Sequence, residues 1–340
     1  MRTGLRITAI LLCIFLLAGC GAKDAVEPSV PAFVEVPEVS ENNEIDVFFE
    51  KYVDTDQRPI GVMIDNDDKN ARPHAGLEEA YLVYEMVVEG GATRFFALFR
   101  NDQTAKIGPV RSSRHYFLDY AMENDTIYTH FGWSPRAMSD ISAYRINNIN
   151  GVAGPDSDIY WREEKYRGDW HSAYTSIERI TKMAEQKGYS LKTDKKNGLI
   201  YAREYFDLSS GESATDVKLE YSGRYSTGYV YDAEKKIYEK QIDGQPHKVQ
   251  SGAVVEAKNI IVVLANDTSL GDGTARRNLI NVGSGKGYYI TNGKYEEITW
   301  SKSARNGDTV FTKTDGTPLE INPGKTYINI ISPASKIIIQ

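Results

Sequence analysis

The chain has 340 residues, and its 40 Lys and Arg against 47 Asp and Glu give a formal net charge of −7 at pH 7. Such an acidic chain is poorly suited to nucleic acid, whose phosphates attract clustered basic side chains. Both cysteines, Cys13 and Cys20, lie within the first twenty residues. We therefore expect the rest of the chain to have no disulfide, no cysteine nucleophile and no cysteine-ligated metal.

The N-terminus has the pattern of a lipoprotein signal. Two arginines precede an apolar run from Ala9 to Ala18, and Cys20 follows directly after the next glycine. Ten apolar residues span only about 15 Å as a helix, half of a bilayer core of roughly 30 Å, so the run is too short to cross a membrane. The sequence predicts a signal peptide over residues 1–19 and a lipid such as palmitate on Cys20, with an ordinary secretory signal as the alternative.

Residues 20–57 are predicted to form an acidic tether. The segment contains seven acidic residues and three prolines between residues 24 and 46. Low hydrophobicity and like charge keep such a chain extended. The folded body would then be lipid-anchored to the cell membrane on its extracytoplasmic side and held at a distance from the bilayer.

The segment 58–205 mixes strand and helix patterns. Residues 59–64 are apolar on both faces, as in a covered central strand. Residues 81–89 and 93–100 are predicted to pair around Gly90 and Gly91, and residues 126–131 form a further strand. Helical periodicity marks residues 113–123 and 175–187.

The segment 215–340 contains short Tyr-, Val- and Ile-rich runs separated by turn dipeptides at 243–244, 292–293 and 315–316. Asp-Gly and Asn-Gly between such runs are typical of hairpins. The predicted fold class is α+β, with a mixed α/β N-terminal domain followed by a smaller, mostly antiparallel β domain.

Several segments, in this order, are similar to one family. They are Arg58-Pro59-Ile60-Gly61-Val62-Met63-Ile64-Asp65-Asn66, Ala71-Arg72-Pro73, Glu89-Gly90-Gly91-Ala92-Thr93-Arg94-Phe95, Gly108-Pro109-Val110-Arg111-Ser112-Ser113-Arg114 and Asn322-Pro323-Gly324-Lys325-Thr326. They resemble the YerB-like bacterial lipoproteins, a family of unknown function (DUF3048). The chain departs from the family pattern at His115, where the pattern has proline, and at residues 170–174, where Pro-His-Asn-Leu-Tyr is more usual. The resemblance implies a two-domain anchored envelope protein and supplies no reaction.

A candidate anion site surrounds Arg111 and Arg114. They flank the predicted start of a helix, which Ser112 or Ser113 could cap. Free backbone N–H groups at a helix N-terminus favour an anion, and two guanidinium groups would strengthen binding of a phosphate or carboxylate. The alternative is that both arginines pair with Asp65, Glu85 or Glu89.

The hairpin around Gly90 and Gly91 tests a glycosidase interpretation. Glu85 and Glu89 would lie about 6 Å apart on a helix but about 13 Å apart on a strand, too far for hydrolysis by two carboxylates. The composition favours the strand. A two-residue loop would place Arg94 on the same face as both glutamates, in an ion network, whereas a one-residue slip would move it to the other face.

Asp65 and Asn66 follow the first apolar strand, where ligand sites of α/β sheets commonly lie. If the protein were a hydrolase or transferase acting on envelope glycans or phosphodiesters, Asp65, Glu85 or His115 would serve as its acid or base. The five histidines show no metal-binding spacing, so no metal site and no cofactor are predicted.

Residues 158–174 carry five large aromatic side chains, including Trp161 and Trp170, together with Arg162 and Arg167. Such a segment suits stacking on a sugar or burying a partner, although the rings could instead cover the core. The sequence therefore predicts a non-enzymatic envelope protein. Its ligand would be a cell-wall glycan, an anionic polymer or an envelope protein, and its site would include Asp65, Asn66, Arg94, Arg111–Arg114, Trp161 and Trp170.

Overall fold

The computed structural model describes residues 41–340 apart from residues 101, 102, 153 and 197. The predicted signal peptide, Cys20 and residues 21–40 lie outside the described residues. The described chain belongs to one compact unit. Its α-helices are α1 Glu41–Phe48, which continues as a π-helical turn over Phe49–Val53, α2 Phe117–Glu123, α3 Pro135–Ala143 and α4 Ile177–Gln186.

The first eight described strands are β1 Ile60–Asn66, β2 Leu82–Val87, β3 Thr93–Phe99, β4 Ile127–His130, β5 Asn148–Asn150, β6 Trp161–Arg162, β7 Ala173–Tyr174 and β8 Ile200–Tyr201. Those after residue 210 are β9 Glu212–Ser213, β10 Asp216–Ser222, β11 Tyr225–Asp232, β12 Ile237–Ile242, β13 Gln245–Pro246, β14 Glu256–Ala257, β15 Asn259–Leu264, β16 Asp267–Ser269, β17 Arg277–Leu279, β18 Gly283–Thr291, β19 Lys294–Lys302, β20 Thr309–Lys313, β21 Glu320–Ile321, β22 Thr326–Ile331 and β23 Lys336–Ile339. Single 3-10 turns cover Lys69–Ala71, Leu77–Glu79, Glu89–Gly91 and Pro155–Ile159.

One large mixed sheet organises the described chain, in the order β20-β19-β18-β15-β22-β2-β3-β1-β4-β5. One face packs against α1, α2 and α3 through side chains such as Ile45, Phe117 and Ile141. The other face packs against α4 and a second, antiparallel sheet of β13-β12-β11-β10-β23. The two predicted segments, 58–205 and 215–340, both contribute strands to the large sheet, and β2 pairs directly with β22.

The α+β fold class is confirmed, with antiparallel pairing dominant in the second half and turns at 243–244 and 292–293 between paired strands. The expectation of an extended tether is wrong for residues 41–53. Ile45, Phe48, Phe49 and Tyr52 recur at helical spacing and form an apolar stripe. Ile45 and Phe49 are buried in the core, and Phe48 packs on Tyr201 with ring centroids 5.0 Å apart. A prediction based only on the acidic residues and prolines of this segment misses the apolar stripe.

The expected start of α2 is also wrong. The helix begins at Phe117, and neither Ser112 nor Ser113 caps it. Ser112 Oγ donates to the carbonyl oxygen of Phe131 at 3.0 Å, and Ser113 Oγ accepts from Tyr128 at 2.8 Å. Both hydroxyls therefore bind the β4 region, and Arg111 and Arg114 do not flank a helix N-terminus.

Candidate functional site

The candidate site lies at the carboxyl ends of β1, β4 and β5, which run parallel to one another. The segment 108–114 enters between the ends of β1 and β4. The Arg111 N–H donates to Met63 O at 2.9 Å, and the Arg111 carbonyl accepts from the Phe131 N–H at 3.0 Å. Backbone pairing on both sides fixes where the Arg111 side chain begins, at the edge where open α/β sheets place ligands.

Asp65 is the fully buried centre of this site. Its Oδ2 accepts a hydrogen bond from His171 Nδ1 at 2.7 Å and lies 2.9 Å from Arg111 Nε. Burial by itself would raise the pKa of Asp65, but the bond from His171 and the two nearby guanidinium groups outweigh it, so the pKa lies below its ordinary value. Asp65 is therefore a paired carboxylate, which makes it a weak candidate for a general base.

His171 links the buried carboxylate to the surface. Because Nδ1 donates to Asp65, Nε2 carries the lone pair, and it accepts a hydrogen bond from Trp170 Nε1 at 2.5 Å. The Trp170 ring also lies 5.4 Å from the Arg111 guanidinium carbon, in cation–π geometry. Trp170 nevertheless remains 60% exposed, so a large aromatic side chain is held in place at the surface by two polar contacts.

Arg94 and Arg114 complete a cluster of guanidinium groups beside Arg111. Arg114 binds Glu89 in a bidentate pair, with Nε–Oε1 2.5 Å and Nη2–Oε2 2.9 Å. Arg94 is buried and donates to Ser112 O at 2.6 Å, while its Nε has no hydrogen-bond partner among the described residues. Burial, followed by repulsion from Arg114, lowers the pKa of Arg94 to about 10. We call Arg94, Arg111 and Arg114 the arginine cluster.

The hairpin register explains why Arg94 is in this cluster. Glu85 lies opposite Phe95, and Met86 lies opposite Arg94. This is the one-residue slip, because the chain turns through the 3-10 turn Glu89–Gly91 rather than a two-residue loop. Arg94 therefore shares a face with Asp65, its partner in β1, and the predicted network of Glu85 with Arg94 does not form.

The other predicted binding residues are divided between the site and the protein interior. Asn66 is buried, accepts from Arg72 Nε at 3.0 Å and donates to Tyr225 at 2.7 Å. Trp161 stacks on the buried Tyr174 with centroids 6.4 Å apart and donates to Glu163. Asn66 thus joins parts of the fold, and of the two predicted tryptophans only Trp170 contacts the arginine cluster.

The three alternative catalytic residues have separate partners. Glu85 is fully buried and binds Lys240 Nζ at 2.9 Å. His115 is buried, and its Nε2 lies 3.0 Å from Asn278 Oδ1. Glu85 and His115 bind other partners and not Asp65, so the arrangement gives little support to acid–base catalysis by these three groups.

His171 is the site residue that the sequence analysis missed. Its partner Asp65 is 106 residues away in the chain, and no local spacing indicates that contact. The signals that could have found it are the adjacent Trp170, which stands where the family pattern has proline, and His171 itself, which keeps the histidine of that pattern. Among the described residues, no group of three or more His, Cys, Asp or Glu side chains is arranged to hold a metal ion.

Three comparisons place the chain among known proteins. A family model described as "Protein of unknown function (DUF3048) N-terminal domain" matches residues 50–190, and the corresponding C-terminal domain matches residues 217–328. The chain is 33% identical over 335 residues to "Putative lipoprotein YerB" of Bacillus subtilis (strain 168), which covers 97% of this chain and 96% of that protein. The crystal structure of YerB from Bacillus subtilis matches with a TM-score of 0.72 over 83% of this chain and 94% of that chain, at 33% identity.

Proposed function

Since this chain belongs to the DUF3048 family, we propose that it is a lipid-anchored extracytoplasmic protein that binds an anionic, sugar-containing component of the cell envelope. The name of the relative YerB supports the lipid anchor, which Cys20 would carry. Within the described part of the chain, no helix is both long and apolar enough to cross a bilayer.

The observation that carries this proposal is an exposed indole fixed beside three clustered guanidinium groups. Arg111 pairs with Asp65 and Arg114 with Glu89, while the Nε of Arg94 has no hydrogen-bond partner among the described residues. Guanidinium groups bind phosphate and carboxylate in a planar, bidentate manner. In a protein with a net negative charge, this concentration of guanidinium groups gives an anion a specific place to bind.

Trp170 supplies the apolar half of the proposed site. An aromatic ring that is held rigidly yet exposed loses little conformational freedom when a ligand packs on it. Its size and shape suit the flat face of a sugar ring. An anionic group beside a sugar matches this combination better than either a free inorganic anion or a neutral glycan.

Direct titration tests the proposal. A soluble form beginning at residue 21 would be titrated calorimetrically with a glycerol phosphate polymer that carries sugar substituents, an uncharged glycan of similar length and inorganic phosphate. We expect the charged polymer to bind best. Arg111→Gln with Arg114→Gln should weaken its binding at least tenfold, since each lost charge-assisted contact removes about 1.5–3 kcal/mol.

The charge-matched control is Lys182→Gln with Lys192→Gln, which removes two exposed cations elsewhere on the surface. This control should bind within about twofold of the unmodified protein. Equal losses in both double variants would show attraction by overall charge alone. No binding of any of the three ligands would remove the proposal.

A second candidate ligand is an envelope protein. Trp133 and Val152 are exposed, and both follow strands that end beside Ser112. Apolar side chains next to a polar centre are typical of protein interfaces. Binding of a purified envelope protein that Val152→Asp abolishes, while polymer binding is absent, would favour this candidate.

A further inference from the structure

We propose that Trp170 is a proton-controlled cover for Arg111. It stays in place while His171 is neutral and leaves when His171 Nε2 takes up a proton, and this departure strengthens anion binding by the arginine cluster. The effect on binding rests on the proposed function, whereas the movement of Trp170 does not.

The first step is the hydrogen-bond geometry. In the neutral ring Nδ1–H donates to Asp65 and the Nε2 lone pair accepts from Trp170. An imidazolium ion carries a hydrogen on both nitrogens and has no acceptor. After protonation, Nε2–H and the indole N–H would be two donors facing each other across 2.5 Å, so this contact must break.

The second step is that Asp65 prevents the histidine from moving instead. The carboxylate is fully buried on β1 and also pairs with Arg111. A protonated His171 binds that carboxylate more strongly than a neutral one. The His171 ring therefore stays beside Asp65. The Trp170 side chain is exposed, so it is the one that can move away.

The third step concerns the charged groups around His171. Burial lowers its pKa, but the hydrogen bond and charge of Asp65, followed by the charge of Asp68, raise it, while Arg111 lowers it. Asp67 from the same turn and Asp169 from the histidine's own loop also face it. The net pKa is above the ordinary 6.5, and the Trp170 bond acts against this rise because it needs the lone pair. Histidine is the side chain whose ordinary pKa lies nearest to neutral pH, so uptake of a proton at Nε2 is the change that would act on this contact.

The fourth step is that both consequences favour an anion. The Arg111 guanidinium lies over the indole ring, with its carbon 5.4 Å from the ring centroid, and departure of Trp170 would leave that side of the guanidinium open. The proton on His171 adds a positive charge next to the arginine cluster. Acidification should therefore raise affinity for an anionic group, although it removes one aromatic contact.

The movement can be measured by the indole ¹⁵N–¹H resonances of the four tryptophans in the soluble form that begins at residue 21. The peak missing in Trp170→Phe identifies Trp170. We expect this peak to titrate between pH 8 and pH 5, with faster hydrogen exchange at the acidic end. In His171→Gln, whose amide oxygen can still accept from the indole, the peak should not titrate.

The matched control is His130→Gln. His130 is a buried histidine whose ring lies 5.4 Å from that of Trp133, so it tests for a general effect of removing a histidine beside a tryptophan. Trp170 should titrate normally in this variant. An indole peak that stays unchanged from pH 8 to pH 5, or that titrates equally in His171→Gln, would overturn the proposal.

Binding provides a separate measurement. The glycerol phosphate polymer should bind about fivefold more tightly at pH 5.5 than at pH 7.5, the order expected for one added charge near the surface. His171→Gln should abolish this difference. Polymer binding without movement of Trp170 overturns the cover and leaves the proposed function intact. A titrating indole in a protein that binds neither polymer nor phosphate supports the cover and removes the proposed function.

Discussion

Glu85 on β2 and Asp65 on β1 are both fully buried carboxylates of the same sheet, on the two strands that pair with β3, yet their surroundings differ. Glu85 binds Lys240, itself fully buried, and accepts from Thr93 at 2.8 Å and Tyr225 at 2.6 Å. Every one of these partners is buried. Asp65 instead binds two side chains that lead to the surface. One is His171, which accepts from the exposed Trp170, and the other is Arg111, whose own guanidinium is partly exposed.

This difference separates a structural charge pair from a candidate binding site. Glu85 comes from the first half of the chain and Lys240 from the second, 155 residues later, so their contact joins the two halves inside the core. A buried pair with all its partners inside has no group left for a ligand. The Asp65 site has the same kind of centre, but two of its side chains reach the surface.

The largest expected effect is on the Glu85 pair. Lys240→Met would leave the Glu85 carboxylate buried without its cation. The free energy of unfolding should fall by about 3–5 kcal/mol, which is typical when one member of a buried pair is removed. Urea unfolding followed by circular dichroism would measure it.

The double variant Glu85→Gln with Lys240→Met should recover much of that loss, since neither charge then remains. A second buried pair, Glu123 with Lys302 at 2.6 Å, offers a matched comparison, and Lys302→Met should behave similarly. If Lys240→Met changed the free energy of unfolding by less than about 1 kcal/mol, the pair would not be an important contact between the two halves of the chain.

The second largest expected effect is a fall in the free energy of unfolding in acid, caused by a histidine that binds the backbone of Asp65. The ring of His74 donates from Nε2 to the carbonyl of Asp65 at 2.7 Å, and burial lowers the pKa of His74 to about 3. Because the unfolded chain binds that proton near pH 6.5, its contribution is complete above pH 6.5 and is lost as the pH falls towards 3. The free energy of unfolding should fall by about 1.4 kcal/mol per pH unit on this account.

The contribution of His171 to the pH dependence of stability has the opposite sign, although His171 binds the same aspartate. Its raised pKa gives stability that is complete below the unfolded value of 6.5 and is lost as the pH rises through the folded value. His74→Gln should therefore flatten the loss of stability as the pH falls below 6.5, while His171→Gln should remove the loss that occurs as the pH rises above 6.5. Unfolding curves at pH 5, 6, 7 and 8 in which both variants change the same side of pH 6.5 would contradict these assignments.

The smallest expected effect concerns Trp170. Trp170→Ala removes an exposed ring and should change the free energy of unfolding by less than about 1 kcal/mol. The matched buried residue is Trp300, which is 4% exposed and donates to Leu264 O at 3.1 Å. Trp300→Ala should cost about 3–5 kcal/mol. A comparable loss for both would mean that Trp170 supports the fold, and the case for a binding role would be weakened.

The elements predictable from the sequence are those fixed by local pattern. All seven residues of β1 are buried, as its continuous apolar run indicates, and α4 begins after Ser176, whose hydroxyl accepts from the Arg179 N–H at 3.3 Å. The predicted start of α2 is wrong because Ser112 and Ser113 bind the β4 region. Helix propensity does not describe such a contact between distant segments. The sequence singles out Asp65, Arg94 and Arg111 as candidates, and they lie together in the structure, but their arrangement depends on a hairpin register that a single residue can reverse.

The pairing of β2 with β22 has a consequence for how the chain acquires its structure. Residues 82–86 lie beside residues 326–330, so the edge of the β2–β3–β1 group stays uncovered until nearly the whole chain has been made. An unpaired strand edge can recruit other strands, and contacts between distant segments form slowly. Any copy in which β2, β3 and β1 pair first would therefore expose an open strand edge until β22 inserts between β15 and β2.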